Sequence, residues 1–213
     1  MQEKLFDDAK YCKLGILGGT FNPIHIGHLL LAEAAYDEIG LDGVMFLPSG
    51  NSYMKDASGI LAAEDRLKMT QLAVSGQPDF FVSDMEIKRG GNTYTYETLS
   101  TIKNLHPDTQ LFFITGADCL FSVENWRNPE QIFASCSFVT ALRGDADEAK
   151  LNKQVQRLQE RYDANIILIP FLKMEISSTA IRERIKQGKS VRYMVPDAVY
   201  QYLLEKQLYK MNL

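Results

Sequence analysis

Short apolar runs alternate with longer amphipathic stretches along most of the chain. Lys13–Leu17 is a compact apolar run closed by Gly18-Gly19, the signature of a buried strand. Gly27–Ile39 then sets Leu, Ala and Tyr at helical spacing and stops at Gly40. Val44–Leu47, ended by Pro48-Ser49-Gly50, reads as a second strand, followed by a helix over Ala62–Val74 and a strand over Phe80–Ser83. Tyr94–Leu105 is helical in pattern, and Gln110–Thr115 is a strongly apolar strand halted by Gly116. Phe138–Leu142 and Asn165–Ile169 read as two more strands. The charged stretch Asp145–Tyr162 between them reads as a helix with a solvated outer face. Short helices over Ser178–Gln187 and Pro196–Glu205 finish the pattern.

Strands that alternate with helices imply βαβ units. With right-handed crossovers this predicts an α/β fold: a Rossmann-like, doubly wound, mostly parallel sheet with helices on both faces. No Pro/Gly/Ser-rich linker divides the chain. A single domain over 1–213 is therefore expected, with 1–12 as an N-terminal extension and 176–213 as a small helical C-terminal subregion. In such sheets ligands bind beyond the carboxyl ends of the strands, so the exit of the first strand is the place to look for chemistry.

Composition narrows the function classes. The 213 residues are 46% hydrophobic and 23% charged, with a net charge of −4, so no basic excess points to a nucleic-acid polymer. The three cysteines, Cys12, Cys119 and Cys136, are widely spaced and form no CxxC pair, which disfavours a disulfide framework or structural zinc. Reduced thiols and a cytoplasmic location are expected. No apolar run approaches the roughly 18 residues of a membrane helix, so no membrane partner is expected. The N-terminal MQEKLFDDAKY lacks the apolar core of a signal peptide. A homo-oligomer is left open. Two of the three histidines fall within four residues, and the third, His106, precedes Pro107 and reads as an ordinary surface histidine.

The first strand leads into GGTFNPIHIGH, from Gly18 to His28. Gly18 and Gly19 permit a tight turn and close approach of a ligand. His25 and His28, three apart at a helix start, can share one face, and Gly27 leaves room between them. The helix N-terminus adds open N–H groups and a positive dipole end. Such a site suits polyphosphate. It is neither the dinucleotide fingerprint nor a Walker A loop. An HxxH pair can also bind zinc, but no third ligand is evident, so no protein-held metal is expected. Ile176-Ser177-Ser178-Thr179-Ala180-Ile181-Arg182 marks a second helix start with hydroxyls for capping and an Arg suited to phosphate.

GGTFNPIHIGH closely resembles the HxGH signature of the Rossmann-like nucleotidyltransferase superfamily, and ISSTAIR resembles the ISSTxIR motif of the pyridine-nucleotide adenylyltransferases. Gly91-Asn92-Thr93-Tyr94-Thr95 with YETL resembles the SYTxDTL segment of bacterial nicotinate-nucleotide adenylyltransferases, and Ile114–Asp118 resembles their IxGAD. One departure stands out. Where the family has a PPHK-type element, the chain reads Pro48-Ser49-Gly50-Asn51-Ser52-Tyr53-Met54-Lys55, keeping Lys55 in a form closer to the AYKK of eukaryotic-type enzymes.

The resemblance implies adenylyl transfer from ATP to nicotinate mononucleotide, giving deamido-NAD and pyrophosphate, with Mg²⁺ carried by the ATP. It implies His25, His28, Lys55 and Arg182 as catalytic groups. It implies Gly18, Gly19, Thr20, Phe21, Asp118, Ile176, Ser177, Ser178 and Thr179 as further ATP-binding residues. Thr95, Trp126, Arg127 and Lys55 would meet the acceptor, with the only tryptophan stacking on the pyridine ring. Arg143, after the fifth strand, is a further candidate near ATP. The alternatives are an enzyme for nicotinamide mononucleotide or both acceptors, prompted by SYMK, and a non-catalytic nucleotide-binding sensor module.

Overall fold

The computed structural model describes residues 5–7, 9–52, 59–142, 148–171 and 174–210. Lys55 and Arg143 lie outside them. The elements in chain order are β1 (Lys13–Gly19), α1 (Ile26–Ile39), β2 (Gly43–Pro48), β3 (Asn51–Ser52), α2 (Ala63–Val74), β4 (Phe80–Val82), α3 (Met85–Arg89), β5 (Asn92–Thr93) and α4 (Thr95–Leu105). They continue with β6 (Gln110–Gly116), α5 (Ala117–Ser122), a 3₁₀ turn (Val123–Asn125), α6 (Pro129–Ser135), β7 (Ser137–Leu142), α7 (Glu148–Tyr162), β8 (Ile166–Pro170), α8 (Ser178–Lys186) and α9 (Asp197–Glu205).

Six strands form one sheet in the order β4-β2-β1-β6-β7-β8, and every pairing is parallel. Counting only these six along the chain, the order is 3-2-1-4-5-6, the doubly wound arrangement, which reverses direction between β1 and β6. The strands read as nearly unbroken apolar runs because both faces of the sheet are covered.

Strand side chains alternate between those faces. Leu17, Val44, Phe46, Phe112, Ile114, Val139 and Ile169 pack on one side with Ala32 and Ala35 of α1, Met69 and Val74 of α2, Ile181 of α8, and Val199 and Leu203 of α9. Leu14, Ile16, Met45, Leu47, Leu111, Phe113 and Phe138 pack on the other side with Leu99 and Ile102 of α4, Leu120 of α5, Phe133 of α6, and Leu151, Val155 and Leu158 of α7. Each such side chain contributes roughly 1.5–3 kcal/mol of transfer free energy when fully buried. The charged helix α7 is thus amphipathic: its i, i+4, i+7 stripe of Leu151, Val155 and Leu158 meets the sheet.

His106 corrects the sequence reading. It is fully buried, not superficial. Phe6 from the N-terminal segment lies flat against its ring, with centroids 3.6 Å apart, and the Leu5 N–H donates to His106 Nε2 at 3.2 Å. The covering comes from a hundred residues away in sequence, which no local pattern around His106-Pro107 reports.

A two-stranded parallel pairing of Asn51-Ser52 with Asn92-Thr93 joins the exit of β2 to the segment before α4. It gives the region around the β1 and β2 carboxyl ends a second wall.

Candidate active site

A cleft of about 880 Å³ opens at the carboxyl ends of β1 and β6, where the strand order reverses. Gly18, Gly19, Thr20 and Phe21 form its floor, and the N-termini of α1 and α8 both enter it. His25, His28, Asp118, Ile176, Ser177, Ser178, Thr179 and Arg182 line it, as do Thr95 and Trp126. The structure therefore gathers nearly all the residues singled out in the sequence. Arg127 is the exception among the described residues. It is not part of the cleft wall, and its guanidinium sits over the Tyr94 ring, 4.8 Å from the centroid.

His25 caps α1 with extended backbone, φ −147° and ψ 170°. Its ring stacks on that of His28, with centroids 3.7 Å apart. The spacing follows from helix geometry, since residues N-cap and N3 fall on adjoining sides of the first turn. Gly27 makes the stack fit: a Cβ there would meet His25 Nδ1 at 3.1 Å. The His25 main-chain N–H donates to His28 Nδ1 at 3.2 Å. That bond fixes the neutral His28 tautomer, leaving the proton on Nε2. His25 is buried, and burial pushes its imidazole down to about 4. It is neutral at pH 7, and its buried Nδ1 has no hydrogen-bond partner among the described residues.

The start of α8 is tied to the β1–α1 turn. Ser177 is the N-cap, its Oγ accepting from the Ala180 N–H at 3.1 Å. Ser178 Oγ donates to the Pro23 carbonyl at 2.8 Å. Arg182 Nη1 donates to the Asn22 carbonyl at 2.8 Å and Nη2 to Thr179 Oγ1 at 3.2 Å. Among the described residues Arg182 is the only Lys or Arg that lines the cleft. Two helix N-termini, two imidazoles and one guanidinium thus face the same space, an arrangement suited to several phosphates at once.

On the other side of the sheet Phe113, Trp126, Thr95, Thr98 and Glu86 line the cleft. Trp126 stands edge-on to Phe113, with centroids 6.2 Å apart, and its buried Nε1 has no hydrogen-bond partner among the described residues. Thr95 begins α4. Glu86 is buried here and its carboxyl is pushed up to about 7 by burial, against the Thr98 hydroxyl that donates to its Oε1 at 2.7 Å and the nearby Arg89.

Four residues escaped the sequence reading. Asn22 is a buried hub: its Oδ1 accepts from the Leu61 N–H at 3.1 Å and the Tyr209 hydroxyl at 2.7 Å, and its Nδ2 donates to the Gly59 carbonyl at 2.9 Å. Glu86 and Tyr209 carried no local signal, lying in a five-residue helix and beyond the last helix. Arg66 did carry one. It falls on the stripe of α2 that also bears Met69, Thr70 and Val74, so a cation occupies a position patterned for the core.

The sequence model of the cytidylyltransferase-like family matches residues 16–184. A probable nicotinate-nucleotide adenylyltransferase from Lachnoclostridium phytofermentans is 45% identical over 197 residues, covering 92% of this chain and 98% of that one. One from Clostridium botulinum is 41% identical, covering 93% of this chain and 98% of the relative. Among solved structures, the Plasmodium falciparum nicotinic acid mononucleotide adenylyltransferase complexed with NaAD superposes with a TM-score of 0.76 at 20% identity, covering 92% of this chain and 97% of that chain. At that identity the likeness concerns the fold alone. The chain belongs to the cytidylyltransferase-like family and, within it, to the nicotinate-nucleotide adenylyltransferases.

Proposed function

We propose that this protein transfers the adenylyl group of ATP to nicotinate mononucleotide. An oxygen of the acceptor's 5′-phosphate attacks the α-phosphorus in line, the bond to the bridging oxygen breaks, and pyrophosphate leaves with deamido-NAD as the other product. The attacking phosphate is already anionic near pH 7, so no strong general base is required. Catalysis is positioning plus neutralisation of charge.

The observation that carries this reading is the convergence of the α1 and α8 N-termini, with His25, His28 and Arg182, on one end of a cleft whose other end holds Trp126 and Thr95. In the proposal, Gly18, Gly19, Thr20 and Phe21 cradle the nucleotide, and Ser177, Ser178 and Thr179 supply donors at the start of α8. Ile176 and Asp118 complete the ATP side. His28 offers its Nε2–H to the α-phosphate or the leaving group, while neutral His25 holds the stack. Trp126 and Thr95 receive the pyridine ring. Lys55 draws charge from the polyphosphate. Arg127 packs over Tyr94 outside the cleft wall and is given no acceptor contact in this proposal.

The divalent cation, Mg²⁺ in this proposal, arrives as part of the ATP substrate. Among the described residues no three His, Cys, Asp or Glu side chains gather as a ligand set. No described helix is long and apolar enough to cross a membrane. Among the described residues Cys12, Cys119 and Cys136 form no disulfide, in keeping with the reducing cytoplasm that we take as the compartment.

Purified protein given ATP, Mg²⁺ and nicotinate mononucleotide is expected to release pyrophosphate and dinucleotide in equal amounts. Pyrophosphate without dinucleotide, or neither product, contradicts the proposal.

A further inference from the structure

Phe21, at the floor of the cleft, is a bulky aromatic residue at φ 47°, in the left-handed region that glycine favours. Such a conformation persists only where its surroundings over-determine it, and it gathers at functional sites. Here the surroundings are two guanidinium groups. Arg66 Nη1 donates to the Thr20 carbonyl, just before Phe21, at 2.8 Å. Arg182 Nη1 donates to the Asn22 carbonyl, just after it, at 2.8 Å.

Arg182 lines the cleft, but Arg66 does not; it is 2% exposed, on the core stripe of α2. Its Nε donates to the Leu61 carbonyl at 3.1 Å and its Nη2 to the Gly50 carbonyl at 3.2 Å. One rigid fork therefore holds three chain segments: the exit of β1, the exit of β2 and the approach to α2. Burial works against the charge and pulls the guanidinium's pKa down. An apolar side chain at this position would avoid that penalty, so the fold carries the cation for what it binds.

What it binds has a direct consequence for the cleft. In a planar trans peptide the C=O and N–H point in opposite directions. Anchoring the Thr20 carbonyl on Arg66 turns the Phe21 N–H away from the guanidinium, and both residues of that plane line the cleft.

We propose that Arg66 is a positioning residue for the phosphate-binding turn. Its guanidinium locks the Thr20–Phe21 peptide plane to Gly50 and Leu61 and so presets the main-chain donors of the Gly18–Phe21 floor. The proposal deepens the adenylyl-transfer reading and rests on it for the activity measurement alone. A lysine cannot replace the fork, because one ammonium does not span three carbonyls in fixed geometry.

The test uses Arg66→Lys and Arg66→Met in the full chain. Melting curves first establish a temperature at which each variant is folded. At that temperature, calorimetry with a non-reactive ATP analogue and Mg²⁺ gives affinity, and steady-state assays give kcat and KM. Analogue affinity is expected to weaken about 10-fold and kcat to fall about 10- to 100-fold in folded variants. A merely structural role scales activity only with the folded fraction, so folded variants within about twofold of wild type in both readouts overturn the proposal. Failure of both variants to fold overturns it too, since Arg66 would then be needed for folding rather than for positioning. If the wild-type chain binds the analogue but makes no dinucleotide, the adenylyl-transfer reading fails, and analogue affinity still decides the role of Arg66.

Discussion

His25 and His28 lie ring against ring, yet burial falls on His25, whose imidazole is pushed down to about 4. His25 binds a proton more readily unfolded, near 6.5, than folded. Its contribution to stability, at most roughly 3 kcal/mol, is complete above pH 6.5 and is lost as pH falls toward 4. In the proposed reaction His28 is the histidine that meets charge. Replacing it, His28→Ala, is expected to lower kcat about 10²–10³-fold with the fold intact, and near-normal turnover would remove it from the mechanism. Glu86 runs the opposite way. Its folded value near 7 lies above the ordinary 4.5, so the folded state holds its proton more tightly, and stability is lost as pH rises through that window. Glu86→Gln, whose amide oxygen can still accept from Thr98, is expected to gain up to about 3 kcal/mol at pH 8 and little at pH 4, measured by urea unfolding at each pH. Equal effects at both values would contradict the buried-carboxyl account. The histidine pair was legible in the sequence because helical spacing is local. Glu86 was not, because its burial depends on α4 and the β2 exit packing over it.

At the scale of elements, the long periodic segments declared themselves. α1, α2, α4 and α7 and the strands of the main sheet stand close to where their apolar spacing puts them. The five- to seven-residue helices α3, α5 and α6 did not, since two turns or fewer leave too little period to separate helix from loop. Pro129 at the first position of α6 was a start signal that could have revealed it. The ISSTAIR segment shows how one element serves two ends. Ser177 caps α8, while Ser178 and Arg182 bind the turn at Asn22-Pro23. Ser177→Ala is expected to cost about 1 kcal/mol of stability through the lost cap, read as a shift in the denaturation midpoint at constant slope. An unchanged midpoint would mean that the α8 start is held from outside the helix.

For the whole molecule, the sequence carries a net charge of −4, although the proposed substrates are themselves strongly anionic. Positive potential is therefore local, built from two helix N-termini and Arg182 at the reversal of the sheet, with Lys55 as a proposed addition. The reversal point was legible because alternating strands and helices leave few topologies. The long-range ties were not: Phe6 on His106, Tyr209 on Asn22 and Arg66 on Thr20 join residues 46 or more apart, and only the folded chain brings them together. Acceptor choice is a property of the same assembled cleft, since nicotinate adds a carboxylate where nicotinamide has a neutral amide. The most direct measurement offers the protein both mononucleotides in one reaction with ATP and Mg²⁺ and follows the two dinucleotides by chromatography. Deamido-NAD in clear excess is the predicted result; a preference for the nicotinamide dinucleotide, or no dinucleotide at all, would contradict the account.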